Sequence, residues 1–395
     1  MKRNGTTSGK VSRRQFVQIV ASTMGTVTLG GGLLPRAAAS SAAAPVRQLA
    51  FFDSASGANF VNWFQTYAFP KYRQMTGVEV KFTSIGPAEA FQRLKAWTPG
   101  QGDVDIFFIA GDRIGAFARE NLLEDLRKLS HLIPNLANAE PPESETIFAF
   151  PIEGRAVPFY KNHYVLAYNS DVVKNPPTSF KDLFNRGAEW KGKLGYIDAR
   201  SPISGTGRLF VGCFLRAFGC DLRLQNGREN ATWGPAWEKL VEFEKFVFKK
   251  HANSGGEQFG QITQGDVWIA PQAKDFIEYT KRVGSLPPST KTTFLEEGTP
   301  VLGSYASIPR GLSEARREAA ARLVNFLLSE EVQVELVNQM QIYPTTNVWE
   351  KVNPNVYKEA VPTKEQMRRY RAKDLPMEAL EHIVAVWATK VGYGG

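Results

Sequence analysis

Hydrophobic and polar positions follow two rhythms along the chain. Val46 to Asp53 is a short apolar run closed by Ser54-Ala55-Ser56-Gly57, which predicts a strand ending in a turn. From Asn59 to Met75, Phe60, Phe64, Tyr67 and Tyr72 recur at helical spacing on roughly one side. Val78 to Thr83 alternates as a strand and Ala88 to Trp97 repeats as a helix. Val104 to Ala110 (VDIFFIA) is a continuous apolar run between Asp103 and Gly111, the profile of a parallel strand covered on both faces. A helix over Ile114 to Glu120 follows.

Pro134 to Pro142 is loop, and Arg155 to Asn169 is extended. Ser179 caps a helix that runs to Phe184. Leu194 to Ile197 predicts a short strand, Gly207 to Phe218 and Ala236 to Lys250 amphipathic helices, Val267 to Ala270 a strand and Lys274 to Val283 a helix. Val301 to Ile308 is extended. Ser313 to Leu328 is a long helix with Ser313 as N-cap and Arg316 and Arg317 on its outer face; Glu331 to Met340 is another. Thr363 to Ala388 is mainly helical with a break at Pro376. Strands alternating with helices predict an α/β fold, and 395 residues exceed one ordinary core and suit two lobes.

The first 44 residues differ in kind. They hold no acidic residue, begin basic up to Arg13 and Arg14, continue through a mildly apolar stretch from Phe16 to Leu34, and end in small residues from Ala37 to Ala44. That is the order of an export signal with A-x-A cleavage sites. Ser12-Arg13-Arg14-Gln15-Phe16-Val17-Gln18 resembles the twin-arginine signal, departing from it at Val17 and Gln18. With no Cys nearby, a lipid anchor is not expected.

This segment changes the meaning of the charge. The chain carries +9, but Lys2, Arg3, Lys10, Arg13, Arg14 and Arg36 supply six of those charges, leaving the remainder near +3. A nucleic-acid partner is therefore not expected. Cys213 and Cys220 are the only cysteines. On one helix, residues seven apart are separated by about 10.5 Å, beyond the reach of a disulfide, which favours two buried thiols unless Gly219 breaks the helix. No G-x-S-x-G elbow or G-x-x-x-x-G-K-[ST] loop occurs. His131, His163, His251 and His382 are scattered, without metal-ligand spacing. No cofactor or metal is expected.

Six local patterns occur in order. They are Val104 to Asp112; Val157-Pro158-Phe159-Tyr160 with Leu166 to Asp171; Ser179 to Leu183 with Trp190 to Leu194; Ser204-Gly205-Thr206-Gly207; Glu297 to Pro300 with Ile308 to Gly311 and Ala320 to Gln333; and Tyr343 to Asn347. Together they resemble the type II periplasmic solute-binding proteins of ABC importers, in the cluster that includes polyamine, iron(III), thiamine and phosphonate carriers. The resemblance implies two α/β lobes joined by hinge strands, with crossings near Gly154 to Lys161 and Gly303 to Ile308. Residues 45–153 and 308–395 would form one lobe and 154–307 the other. It also implies a monomeric periplasmic carrier of a small polar organic solute (thiamine-like, amino-phosphonate or polyamine). Its partners would be an ABC permease in the inner membrane and, during export, the twin-arginine translocase. The alternative is a secreted enzyme on the same architecture, such as a thiamine-degrading one with Cys213 as nucleophile.

Candidate ligand contacts lie at strand ends and helix starts, where open α/β sheets bind ligands. Ser54, Ser56 and Asn59 follow the first strand; Gly111 and Asp112 follow the third. Tyr160 flanks the first crossing. Ser204, Gly205 and Thr206 begin a helix whose free N–H groups suit an anion. Trp268 and Tyr305 offer stacking surfaces. Polyamine carriers are expected to have an acid near Tyr305 and iron carriers an adjacent tyrosine pair; both are absent here. His163 is expected to be structural.

Overall fold

A computed structural model of the chain describes residues 45–358, 360–372 and 375–392. The expected export segment, with Arg13 and Arg14, lies outside the described residues. The first sheet begins with β1 (Gln48–Asp53), α1 (Ala58–Trp63), α2 (Phe69–Thr76), β2 (Glu79–Ser84), α3 (Pro87–Lys95), β3 (Ile106–Ala110) and α4 (Ile114–Arg119). β1 pairs in parallel with β2 and β3. Phe51, Ile106 and Phe108 bury one face of this sheet, and Phe52, Phe107 and Ile109 the other. Burial on both faces explains why the run before Gly111 is apolar without alternation. The helix expected from Asn59 to Met75 contains a π turn over Phe64–Ala68. Pro70 has no N–H to donate to the preceding turn, and the Phe69 N–H reaches back to the Phe64 carbonyl instead.

The chain continues through a small hairpin, β4 (Thr146–Ile147) and β5 (Phe150–Pro151), then β6 (Val157–Pro158), β7 (Tyr160–Asn169), α5 (Phe180–Asn185), α6 (Thr206–Ala217), α7 (Trp233–Glu244), α8 (Gly255–Thr263), β8 (Ile269–Ala273), α9 (Lys274–Arg282) and β9 (Thr290–Thr293). It returns through β10 (Val301–Leu302), β11 (Ser304–Ser307), α10 (Glu314–Leu327), α11 (Glu330–Glu335), β12 (Tyr343–Pro344), α12 (Pro354–Tyr357), α13 (Lys364–Arg369) and α14 (Met377–Val391). The first sheet has the order β2-β1-β3-β11-β6, with β11 antiparallel to its neighbours. In the second, β7 is the spine and pairs antiparallel with β8, β9, β10 and β12. The chain passes from one sheet to the other at Phe159, between β6 and β7, and again at Gly303, between β10 and β11. A Cβ on Gly303 would lie 1.9 Å from the Tyr160 carbonyl oxygen, so only glycine fits where the two crossings touch.

Several expectations change. Leu194 and Ile197 make isolated parallel bridges rather than a full strand. α8 and the polar strand β9 (TKTT) had no clear apolar rhythm to announce them. Ser313 takes the N-cap position of α10 without a side-chain cap bond. Arg316 does not sit on a solvated face: its Nε donates to Oδ1 of the fully buried Asp105 at 2.7 Å. Asp105 also accepts the Ala50 N–H at 2.7 Å, so one carboxylate ties α10 to the sheet. α14, expected with the first lobe, packs on α6 and α7. Cys213 and Cys220 are both free and buried; α6 ends before Gly219, whose φ of 87° turns the chain away.

Candidate functional site

The ends of β1, β3 and β8 meet the start of α6 at the junction of the two sheets. β1 ends at Asp53, whose Oδ1 accepts the N–H groups of Ala55 (2.8 Å) and Ser56 (2.9 Å) and folds Ser54–Gly57 into a tight loop. Ser54 Oγ donates to the Phe108 carbonyl at 3.1 Å, fastening that loop to β3. These elements enclose a cavity of about 220 Å³. Of the expected contacts, Ser54, Ser56, Asn59 and Asp112 line it from the loops that follow β1 and β3, Tyr160 from the start of β7, and Ser204, Gly205 and Thr206 from the start of α6.

Three expected residues stand outside the lining. Gly111 lies behind it and donates its N–H to the Gly303 carbonyl at 3.1 Å. Tyr305 is fully buried, with its hydroxyl donating to the Glu143 carbonyl at 3.1 Å. Trp268 precedes β8, at the opposite end of that strand from Gln272 and Ala273, and its ring faces the Lys193 ammonium at 5.4 Å.

At the start of α6, a Cβ on Gly207 would lie 1.9 Å from the Ile197 carbonyl oxygen, so glycine lets the helix press against that segment. The Ser204 N–H donates to Ser201 Oγ at 3.0 Å, and Ser204 Oγ donates to Thr206 Oγ1 at 3.2 Å. Asp112 reaches this turn from the first sheet. It pairs with Arg208, and its Oδ2 stands 2.6 Å from where a Cβ of Gly205 would be. Burial alone would raise the Asp112 carboxyl, but Arg208 and Arg113 hold it below the usual carboxylate range. Arg113 also spans the gap, donating from Nη2 to the Pro202 carbonyl at 2.8 Å.

Other lining residues were not anticipated: Phe60, Tyr164, Gln272, Asp275 and Phe276. Phe60 stacks on Tyr160 with ring centres 4.3 Å apart, and the Tyr160 hydroxyl lies 2.7 Å from Ser304 Oγ. Asp275 follows β8 as Asp112 follows β3, so the strand-end rule applied to it too. Pro271 hid it by making the strand look finished at Ala270. Burial pushes the Asp275 carboxyl up to about 6 and also raises Asp53. His163 is buried with Nδ1 2.8 Å from the Tyr164 carbonyl, and burial pushes it down to about 4, so it is a neutral structural group. Among the described residues, no group of three or more His, Cys, Asp or Glu is placed to hold a metal.

The fold is similar to that of the spermidine/putrescine ABC transporter substrate-binding protein PotD from Streptococcus pneumoniae. The TM-score is 0.68 at 15% identity, over 88% of this chain and 99% of that one. It is also similar to AfuA, a periplasmic binding protein from Actinobacillus pleuropneumoniae with fructose-6-phosphate bound (TM-score 0.64, 17% identity, 88% and 99% covered). A third is iron-bound HitA from Pseudomonas aeruginosa (0.63, 18%, 88% and 100%). At these identities the likeness is one of fold. No curated protein matches in sequence. Residues 68–363, well over half the chain, match the family described as bacterial extracellular solute-binding protein, so the chain belongs to that family.

Proposed function

We propose that the chain holds one small polar organic solute in the cavity between its sheets, closes on it, and hands it to an inner-membrane permease. The observation that carries this reading is the lining itself: polar residues from both sheets meet at strand carboxyl ends, the place where hinge closure shuts a ligand in. Ser54, Ser56, Asn59 and Asp112 would act from the lobe built on residues 45–153 and from 308 onward, and Tyr160 from the start of β7 in the other lobe. Ser204, Gly205 and Thr206 would act from the lobe of residues 154–307, with α14 leaning across onto the latter. Gly111 and Tyr305 would support the wall, and Trp268 would have no part in contact. The protein works as a monomer in the periplasm, reached through the twin-arginine route signalled by Arg13 and Arg14.

The enzyme alternative has no support from Cys213. It is 1% exposed, lies two turns into α6 beyond the cavity, and burial pushes its thiol up to about 12. A thermal-shift screen of small polar solutes tests the carrier reading, because a ligand of the folded state at 100 times its Kd stabilises by about 2.7 kcal/mol. One solute class should raise the melting temperature; a screen in which none did would contradict the reading. Export of a chain with Arg13→Lys and Arg14→Lys should fail, and normal export would exclude the twin-arginine route.

A further inference from the structure

α14 lies beyond the residues matched to the family and touches the layers of both sheets, by unlike means. One face is built into the layer of α6 and α7. Leu380 and Ile383 are buried against Gly212 of α6, and Trp387 donates from Nε1 to the Tyr196 hydroxyl at 3.1 Å. His382 Nε2 and Lys390 Nζ stand 3.0 and 2.7 Å from the Glu229 carboxylate.

The contact with α4, on the first sheet, is slighter. Met377 rests on Gly115, where a Cβ would lie 2.1 Å from its sulfur. Arg119 Nη2 donates to Glu381 Oε1 at 2.5 Å, with side chains 45% and 50% exposed. Gly115 and Arg119 are four apart on α4, as Met377 and Glu381 are on α14, so the two contacts form one facing stripe. Alongside it, a groove of about 430 Å³ stands between Phe91 of α3 and Phe117 of α4 on one side and Leu380 and Val384 of α14 on the other. The face towards α6 is therefore close-packed, while the face towards α3 and α4 meets its neighbours at a knob and an ion pair.

The root of α14 is held near the crossings. Arg371 pairs with Glu143 at 2.6 Å, Ala372 donates its N–H to the Thr299 carbonyl at 2.8 Å, and Met377 donates its N–H to the Phe148 carbonyl at 3.0 Å. Glu381 lies one turn further out, about 6 Å along the helix. A helix rooted there and swinging with α6 and α7 draws Glu381 away from Arg119 first.

We propose that α14 is a latch on lobe closure: it travels with the second lobe, and its Met377–Glu381 stripe seats on Gly115 and Arg119 when the lobes come together. The latch rests on the two-lobe closure of the carrier reading but on no particular solute. Because apparent affinity scales with the closed fraction, affinity is then set partly outside the cavity.

Hydrogen–deuterium exchange and small-angle scattering of the processed, unliganded protein at low salt test this. Glu381→Lys puts two cations face to face. Amides of 54–57 and 201–205, on opposite sides of the cavity, should exchange about two- to fivefold faster, the range of a half-exposed ion pair, and the radius of gyration should grow. Salt at about 1 M should erase the difference. The double variant Arg119→Glu with Glu381→Lys should restore native exchange, which a general loosening of α14 would not allow. Unchanged exchange in Glu381→Lys, faster exchange confined to α14, or failure of the double variant to restore it would each overturn the latch. The solute screen plays no part in this test, so the latch and the carrier reading can fail separately.

Discussion

Asp112, just beyond β3, forms an ion pair with Arg208 on α6, joining the two sheets across the cavity. The side chains are 3% and 10% exposed. Removing one partner of a buried pair costs about 3–5 kcal/mol when the other charge stays buried. Here the orphaned charge can regain water if the lobes part, so shape should change more than stability. Arg208→Gln is expected to increase the radius of gyration of the unliganded protein in small-angle scattering. An unchanged scattering curve would show that the pair does not hold the lobes together. The carboxyl sits below its ordinary value of 3.8, so its stabilising share is present above that value. It is lost only as pH falls through the lower, folded value. Closure should therefore survive mild acid.

Asp275 has the opposite sign. Burial raises it from 3.8 to about 6, so between those values the folded chain binds more protons than the unfolded one. Its contribution to stability therefore falls as pH rises through that window, by about 3 kcal/mol at most. Asp53, raised by burial as well, acts in the same direction; Tyr160 and Tyr164, also raised, stay protonated throughout. Asp275→Asn should flatten the pH dependence of the melting temperature between pH 4 and 6 and raise it near pH 7. A slope unchanged in the variant would assign the titration to another group.

Gly303→Ala tests the contact between the crossings. In open space Gly→Ala stabilises by about 0.4–1 kcal/mol through the unfolded chain. At 1.9 Å from the Tyr160 carbonyl oxygen the added methyl must push the backbone apart, so a loss of about 1–3 kcal/mol is expected in urea unfolding. The sign decides: a stabilised variant would mean that the crossings do not press on each other.

Cys213 and Cys220 should be inert to a thiol reagent in the folded protein and both react after denaturation, since burial pushes each thiol up to about 12. Rapid labelling of Cys213 in the folded state, blocked by a solute, would bring the enzyme reading back.

Local pattern made much of this architecture legible. The unbroken apolarity of Ile106–Ala110 marked a strand buried on both faces, and the turn residues after β1 and β3 pointed to the carboxyl ends where the cavity lies. Long-range pairing was not legible. Ser204–Thr206 looked ready for an external anion because sequence spacing cannot reveal that Asp112, 92 to 94 positions earlier, leans over the same turn. Arg316 looked solvated because its partner, Asp105, sits just before a strand far away in the chain. The apolar stripe of α14 announced burial without saying which lobe would supply the other face. Asp275 was hidden because Pro271 reads as a strand breaker; β8 tolerates it opposite Leu166, in register with β7.

The most direct measurement is native mass spectrometry of the protein released gently from its own periplasm. One bound small molecule per chain is predicted. A chain that always flies at its bare processed mass, and that no solute stabilises afterwards, would contradict the account.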